Sequence, residues 1–158
     1  MNKILVAFYT HSGNTYKLAE MVAQKTGGVI FAIQLEQEYS TSYNVVVEQA
    51  KKEIRAGFRP VLKGIPSNFN EYGTIFVGTP NWWSSIAPPV ATFLENCNIA
   101  GKVVIPFCTH GGGGFGHIER DIAKLCPDSI ILPGLAMYGG SCKDADVAEW
   151  LKNCKVTG

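Results

Sequence analysis

The chain has 158 residues, of which 46% are hydrophobic, so a single domain over residues 1–158 with a real core is expected. Lys and Arg number 14 against 13 Asp and Glu, a net charge of +1, and the basic residues are scattered apart from Lys51-Lys52. That balance argues against a nucleic-acid or acidic-lipid partner, and no apolar run approaches the roughly 20 residues of a membrane span. The five cysteines (Cys97, Cys108, Cys126, Cys142, Cys154) are odd in number and form no C-x-x-C. They read as free thiols in a reducing, cytoplasmic setting rather than as a disulfide framework or zinc site.

The first predicted element is an apolar strand over 4–9. It lacks an A-x-A cleavage site and runs straight into a polar loop, so it is not read as a signal peptide. Helical spacing of Leu18, Met21, Val22 and Lys25 predicts a helix over 14–25, stopped by Gly27-Gly28. A second strand follows at 29–35. A helix over 43–56 is favoured by Glu48 and Lys52 at i,i+4 and closed by Gly57, although Val45-Val46-Val47 locally favours strand. Strand three is 74–78, residues 79–85 form a loop, and Pro88-Pro89 open a helix carrying Val90, Phe93 and Leu94. Strand four is 102–108, followed by a glycine-rich loop at 109–116. A helix then carries Ile118, Ile122 and Leu125, and a fifth strand at 129–137 is interrupted by Pro133-Gly134. The last helix, 144–154, carries an apolar stripe of Val147, Trp150, Leu151 and Cys154. Strict alternation of five strands and five helices predicts a three-layer α/β fold, a doubly wound parallel sheet in the order 2-1-3-4-5. Ligands of such sheets bind beyond the carboxyl ends of the strands at the switch point, where the loops after strands one, three and four converge.

Those three loops are the unusual ones. Thr10-His11-Ser12-Gly13-Asn14-Thr15 offers hydroxyls, an amide and a glycine at a helix start, a place suited to a phosphate, and contains no Lys or Arg. It is neither a Walker A loop nor G-x-G-x-x-G. Thr79-Pro80-Asn81-Trp82-Trp83-Ser84 sets two indoles side by side in a polar loop, where a planar ligand gives one of them a stacking partner. Adjacent side chains diverge, so one tryptophan stacks, and spacing does not say which. Thr109-His110-Gly111-Gly112-Gly113 leads into Gly114-Phe115-Gly116, a bare backbone that a flat ring edge can approach closely.

The T-x-S-G-N-T loop resembles the FMN phosphate loop of flavodoxins, and the other two resemble the isoalloxazine loops of a bacterial flavodoxin-like group with a P-x-W-W loop. The resemblance runs through the whole chain in order. It implies FMN as cofactor, with phosphate at 10–15 and the ring between 79–85 and 109–116. It also implies an electron-transfer role between redox partner proteins or to a small-molecule acceptor. The alternative is an FMN-dependent NAD(P)H or quinone oxidoreductase of the same fold. Two departures bear on that choice. Many flavodoxin carriers are strongly acidic, and this chain is not. Many also place a glycine beside the flavin N5, whereas 79–85 contains none.

Of the three histidines, His11 faces phosphate or solvent, His110 lies near the flavin pyrimidine edge or on the surface, and His117 lies on the solvent side of a helix. Scattered in this way they make no metal site. No catalytic triad or carboxylate pair is expected. A response-regulator-like domain needs acidic residues at the strand ends, and the three loops contain none.

Overall fold

The computed structural model describes residues 3–139, 141 and 143–155, so Cys142 lies outside the described residues. Its sheet runs β2 (Val29–Ala32), β1 (Lys3–Phe8), β3 (Tyr72–Pro80), β4 (Val103–His110), with β5 (Ile130–Ile131) and β6 (Leu135–Tyr138) both pairing with β4. All these pairings are parallel, and the order is the predicted 2-1-3-4-5. The helices are α1 (Asn14–Thr26), α2 (Tyr43–Ala56), α3 (Pro88–Asn96), α4 (Ile118–Leu125) and α5 (Asp144–Asn153).

Alternation along the strands makes two cores. Val6 and Phe8 of β1, Phe76 of β3, and Ile105 and Phe107 of β4 face α1 and α5, meeting Leu18, Val22, Val147 and Trp150. Leu5 and Ala7, Ile75 and Val77, and Val104 and Cys108 face α2, α3 and α4, meeting Val46, Val90, Phe93, Ile118 and Ile122. With both faces covered, the central strands read as continuous apolar runs.

Several boundaries differ from the sequence expectation. Thr79 and Pro80 extend β3, and Thr109 and His110 extend β4, in register Thr79↔Cys108 and Pro80↔Thr109. They are strand ends and not loop residues, because parallel neighbours continue to supply partners there. The second strand stops at Ala32, and Leu35 makes only an isolated antiparallel bridge to Leu62. The fifth strand is interrupted at Pro133-Gly134, as the sequence predicts, leaving β5 and β6. Pro133 has no N–H for the ladder, the Gly134 N–H goes to Glu119 Oε2 at 3.1 Å, and a Cβ at Gly134 would stand 2.4 Å from the Pro106 carbonyl. The valine run in α2 is helical because Val46 and Ala50, at i,i+4, are both buried.

Candidate functional site

The loop after β1 delivers an uncapped helix end. Gly13 sits at φ 100°, no side chain caps α1, and the first backbone bond of the helix is Lys17 N–H to the Gly13 carbonyl. The N–H groups of the first turn are therefore available to an anion, with the helix dipole behind them. Within the loop, the Gly13 N–H donates to Thr10 Oγ1 at 3.0 Å, which shapes the turn. Ser12 is exposed and Asn14 half-buried. Thr15 is buried, with its hydroxyl 2.8 Å from Thr109 Oγ1, so it locks the loop to the end of β4. His11 is half-buried, and its Nε2 lies 2.9 Å from the Ser40 carbonyl.

After β3, Trp82-Trp83-Ser84-Ser85 closes on itself, the Trp82 N–H donating to the Ser85 carbonyl at 3.1 Å and the Ser85 N–H to that of Trp82 at 3.0 Å. Trp83 (φ 57°) and Ser84 (φ 63°) both adopt the left-handed region, the geometry of a type I′ turn that ordinarily selects Asn and Gly. The turn is thus made without the glycine that the sequence lacks. The two indoles diverge as expected. Trp82 is half-buried among Tyr9, His11 and Tyr39, at centroid distances of 5.7, 6.1 and 5.1 Å and interplanar angles of 80°, 72° and 83°. Three edge-on partners fix its plane. Trp83 is 49% exposed and lies along α2, donating from Nε1 to the Val47 carbonyl at 2.9 Å, with Lys51 Nζ 5.2 Å from its ring centre.

The glycine loop is held at its base and bare at its tip. Asn81 Nδ2 donates to the Gly114 carbonyl at 2.7 Å, the Asn81 N–H to the Thr109 carbonyl at 2.8 Å, and the His117 N–H to the Ser84 carbonyl at 2.6 Å. A Cβ on Gly116 would lie 2.7 Å from that of Ser84. The two loops therefore touch directly at Asn81–Gly114 and Ser84–Gly116. Gly111 and Gly112 are exposed with open space where a Cβ would stand, and Gly113 meets only Asn81. His110 Nδ1 accepts from the Gly112 N–H at 3.0 Å, and its ring meets Tyr138 edge-on. Phe115 packs inward on the core. Thr79 is buried, its hydroxyl accepting from the Ala87 N–H and donating to the Pro80 carbonyl, so it is committed to the fold.

Around the site, burial raises the Tyr9 and Tyr39 hydroxyls well above the ordinary tyrosine range, and Tyr39 also donates to Glu53 Oε1 at 2.5 Å. Burial pushes the Cys108 thiol up to about 12, with Glu119 adding to the shift. It is an inert packing group at neutral pH. Among the described residues no three metal-ligating side chains cluster, and no helix is long and apolar enough to cross a membrane.

The site has a wall that the sequence reading missed. A cleft of about 270 Å³ opens between α2 and the tryptophan turn. His11, Asn81 and both tryptophans line one side, and Tyr43, Val46, Val47 and Ala50 line the other. The signal was available in the valine run, which is too apolar for a helix face in water, but nothing local says which loop that face meets.

Solved structures share the fold. A protein assigned as a flavoprotein from Bacteroides eggerthii superposes with a TM-score of 0.88 at 28% identity, covering 99% of this chain and 100% of that one. A second, from Bacteroides uniformis, gives 0.87 at 28%, covering 96% and 98%. A flavoprotein from Lactobacillus acidophilus NCFM, solved in complex with FMN, gives 0.78 at 20%, covering 95% and 99%, and shares the fold. No curated protein matches the chain. The sequence model described as Flavodoxin matches residues 3–154, nearly the whole length, and with the sheet order and the converging loops it places the chain in the flavodoxin family.

Proposed function

We propose that this chain is an FMN-binding electron-transfer protein. The observation that carries the reading is the uncapped, cation-free α1 terminus, set beside an open glycine backbone and a fixed indole. That set suits a terminal phosphate and a flat ring in one ligand. Thr10, Ser12, Asn14 and the first-turn N–H groups of α1 hold the phosphate. Gly111 and Gly112 let the polar edge of the ring approach main-chain N–H groups, and Trp82 offers the stacking face. When bound, FMN supplies the redox chemistry, and the chain's residues bind it, orient it and shield one face. The free thiols of Cys97, Cys108, Cys126 and Cys154 suit a cytoplasmic location.

Titration of apoprotein with FMN, followed by flavin and tryptophan fluorescence, tests the reading. Saturable quenching at one FMN per chain supports it, and absence of quenching removes it.

A second reading, an FMN-dependent NAD(P)H or quinone oxidoreductase, is favoured by one observation: a ligand-sized cleft adjoins the loops. Bleaching of bound flavin by NAD(P)H without a partner protein selects it, and a requirement for a partner protein selects the carrier.

A further inference from the structure

We infer that Trp82, Tyr39 and Glu53 form a proton-coupled radical relay. An electron lost from the Trp82 indole is replaced from the Tyr39 phenol, whose proton moves to the Glu53 carboxylate. The relay is a property of the side chains and does not rest on FMN binding.

Ring contact comes first. The Tyr39 and Trp82 rings meet at a centroid distance of 5.1 Å and an angle of 83°. Electron tunnelling between rings in contact is fast, so the proton decides whether the phenol is oxidised. A phenol stripped of an electron is a strong acid, and it needs a base beside it. Trp82 also touches Tyr9, at 5.7 Å and 80°, so contact alone does not choose between the two tyrosines. The base does. The Tyr39 hydroxyl donates to Glu53 Oε1 at 2.5 Å, along the line that the proton travels. Tyr9 feels Glu38 and Glu53 through space and donates to neither. Burial raises both hydroxyls above the ordinary tyrosine range, so both rings are neutral phenols at neutral pH.

Both ends of the relay reach water. Among the described residues no sealed side-chain nitrogen or oxygen lacks a partner, and Trp82 Nε1 has none, so its N–H opens onto solvent. Glu53 is half-buried, accepts from Gln49 Nε2 at 2.9 Å through its other oxygen, and lines a separate surface cavity with Tyr39. The other two tryptophans lack tyrosine ring partners among the described residues: Trp150 meets Phe76 and Phe107, and Trp83 meets Lys51.

An oxidising radical takes one electron from Trp82, and Nε1 releases its proton to water. One electron then passes from Tyr39 to the indole radical, the Tyr39 proton goes to Glu53, and Nε1 regains a proton from water. The products are an intact tryptophan, a Tyr39 phenoxyl radical and a proton that Glu53 returns to solvent. With its proton accepted, the phenol is the easier of the two rings to oxidise, which sets the direction from the loops toward α2.

Pulse radiolysis with azide radicals, which oxidise tryptophan readily, tests the relay on the protein with and without FMN. We expect indolyl absorption to decay as phenoxyl absorption rises, in one first-order phase independent of protein concentration. Trp82→Phe and Tyr39→Phe each abolish that phase. Glu53→Gln removes the base and slows it at least about tenfold. Tyr9→Phe keeps the ring and leaves the rate within about threefold. Absence of the phase in the unaltered protein overturns the proposal, as does its survival in Tyr39→Phe or an unchanged rate in Glu53→Gln. Loss of the phase in a folded Tyr9→Phe assigns the radical to Tyr9 and also overturns it. If the Tyr39 or Glu53 variants do not fold, the unaltered protein in heavy water decides: a slower phase supports the relay, and an unchanged rate overturns it.

Discussion

The side-chain oxygens of Thr15 and Thr109 lie 2.8 Å apart in a buried contact that joins the first turn of α1 to the end of β4. Their partners in sequence are 94 positions away, and each hydroxyl satisfies the other. Removing one leaves the second buried and unpaired, whereas removing both leaves two methyl groups in van der Waals contact. Thr15→Val and Thr109→Val should therefore each cost about 1–3 kcal/mol, with the double variant losing less than their sum. Urea unfolding of the four proteins measures the cycle, and strict additivity would mean that the hydroxyls do not interact.

Gly116 and Gly111 stand in the same loop under opposite constraints. Gly116 has φ 55°, and a Cβ there meets the Ser84 Cα and carbonyl at 2.8 Å, both backbone atoms that cannot swing aside. Gly111 has open space and no left-handed φ. Gly116→Ala should destabilise by about 2–4 kcal/mol, combining strain and overpacking, and should push the loops apart. Gly111→Ala should change stability by less than about 0.5 kcal/mol, as open surface sites do. Comparable Tm losses in the two variants would contradict this account of the loop contact.

How much of this was legible from residues alone divides along one line. The strand order and helices were readable because Leu5 to Tyr9, Ile75 to Val77 and Val104 to Phe107 are apolar runs separated by helix-period stretches with glycine stops. The three loops were readable because their composition is odd. The pairings between distant loops were not: Thr15 with Thr109, Asn81 with Gly114 and His11 with Ser40 depend on register and chain path, which spacing does not encode. The same holds for Thr79, whose hydroxyl is consumed by the Ala87 N–H and the Pro80 carbonyl. The type I′ turn at Trp83-Ser84 runs against local preference, so propensity argued away from it.

That turn gives a third expectation. Ser84 holds φ 63° on the exposed surface, and its side chain makes no hydrogen bond among the described residues, so its conformation costs about 1 kcal/mol that glycine would not incur. Ser84→Gly should raise stability by up to about 1 kcal/mol, or about 2–4 °C in Tm for a chain of this size. Differential scanning calorimetry reads the shift, and a fall in Tm would show that the turn is not strained at Ser84.

Alkaline pH should unfold the protein early. Burial raises the folded-state thiols of Cys97 and Cys108 to about 12 and that of Cys126 to about 11, and raises Tyr9 and Tyr39 as well. Each group is protonated in the folded chain at a pH where the unfolded chain releases its proton. Their contribution is therefore complete below the unfolded values of about 8.5 for Cys and about 10 for Tyr, and is lost as pH rises through the folded ones. Stability from urea unfolding should decline from about pH 9 onward, and Cys108→Ala should flatten part of that slope while costing packing at every pH. An unchanged slope in Cys108→Ala would exclude the thiol as a contributor.

The two tryptophans should separate in a flavin titration. Trp82 is held in one plane by Tyr9, His11 and Tyr39, so it meets a ring without losing further freedom. Trp83 is committed to α2 through the Val47 carbonyl and Lys51. Trp82→Ala should weaken FMN by about tenfold or more, since a lost stack and a collapsed wall together amount to at least about 1.4 kcal/mol. It should also destabilise the fold, because Tyr9 and Tyr39 lose their partner. Trp83→Ala, at a half-exposed site, should leave FMN affinity within about threefold and stability within about 1 kcal/mol. Fluorescence titration of both variants at a temperature where circular dichroism shows each to be folded makes the comparison. The reverse order would place the stacking face on Trp83 and turn the ring toward α2.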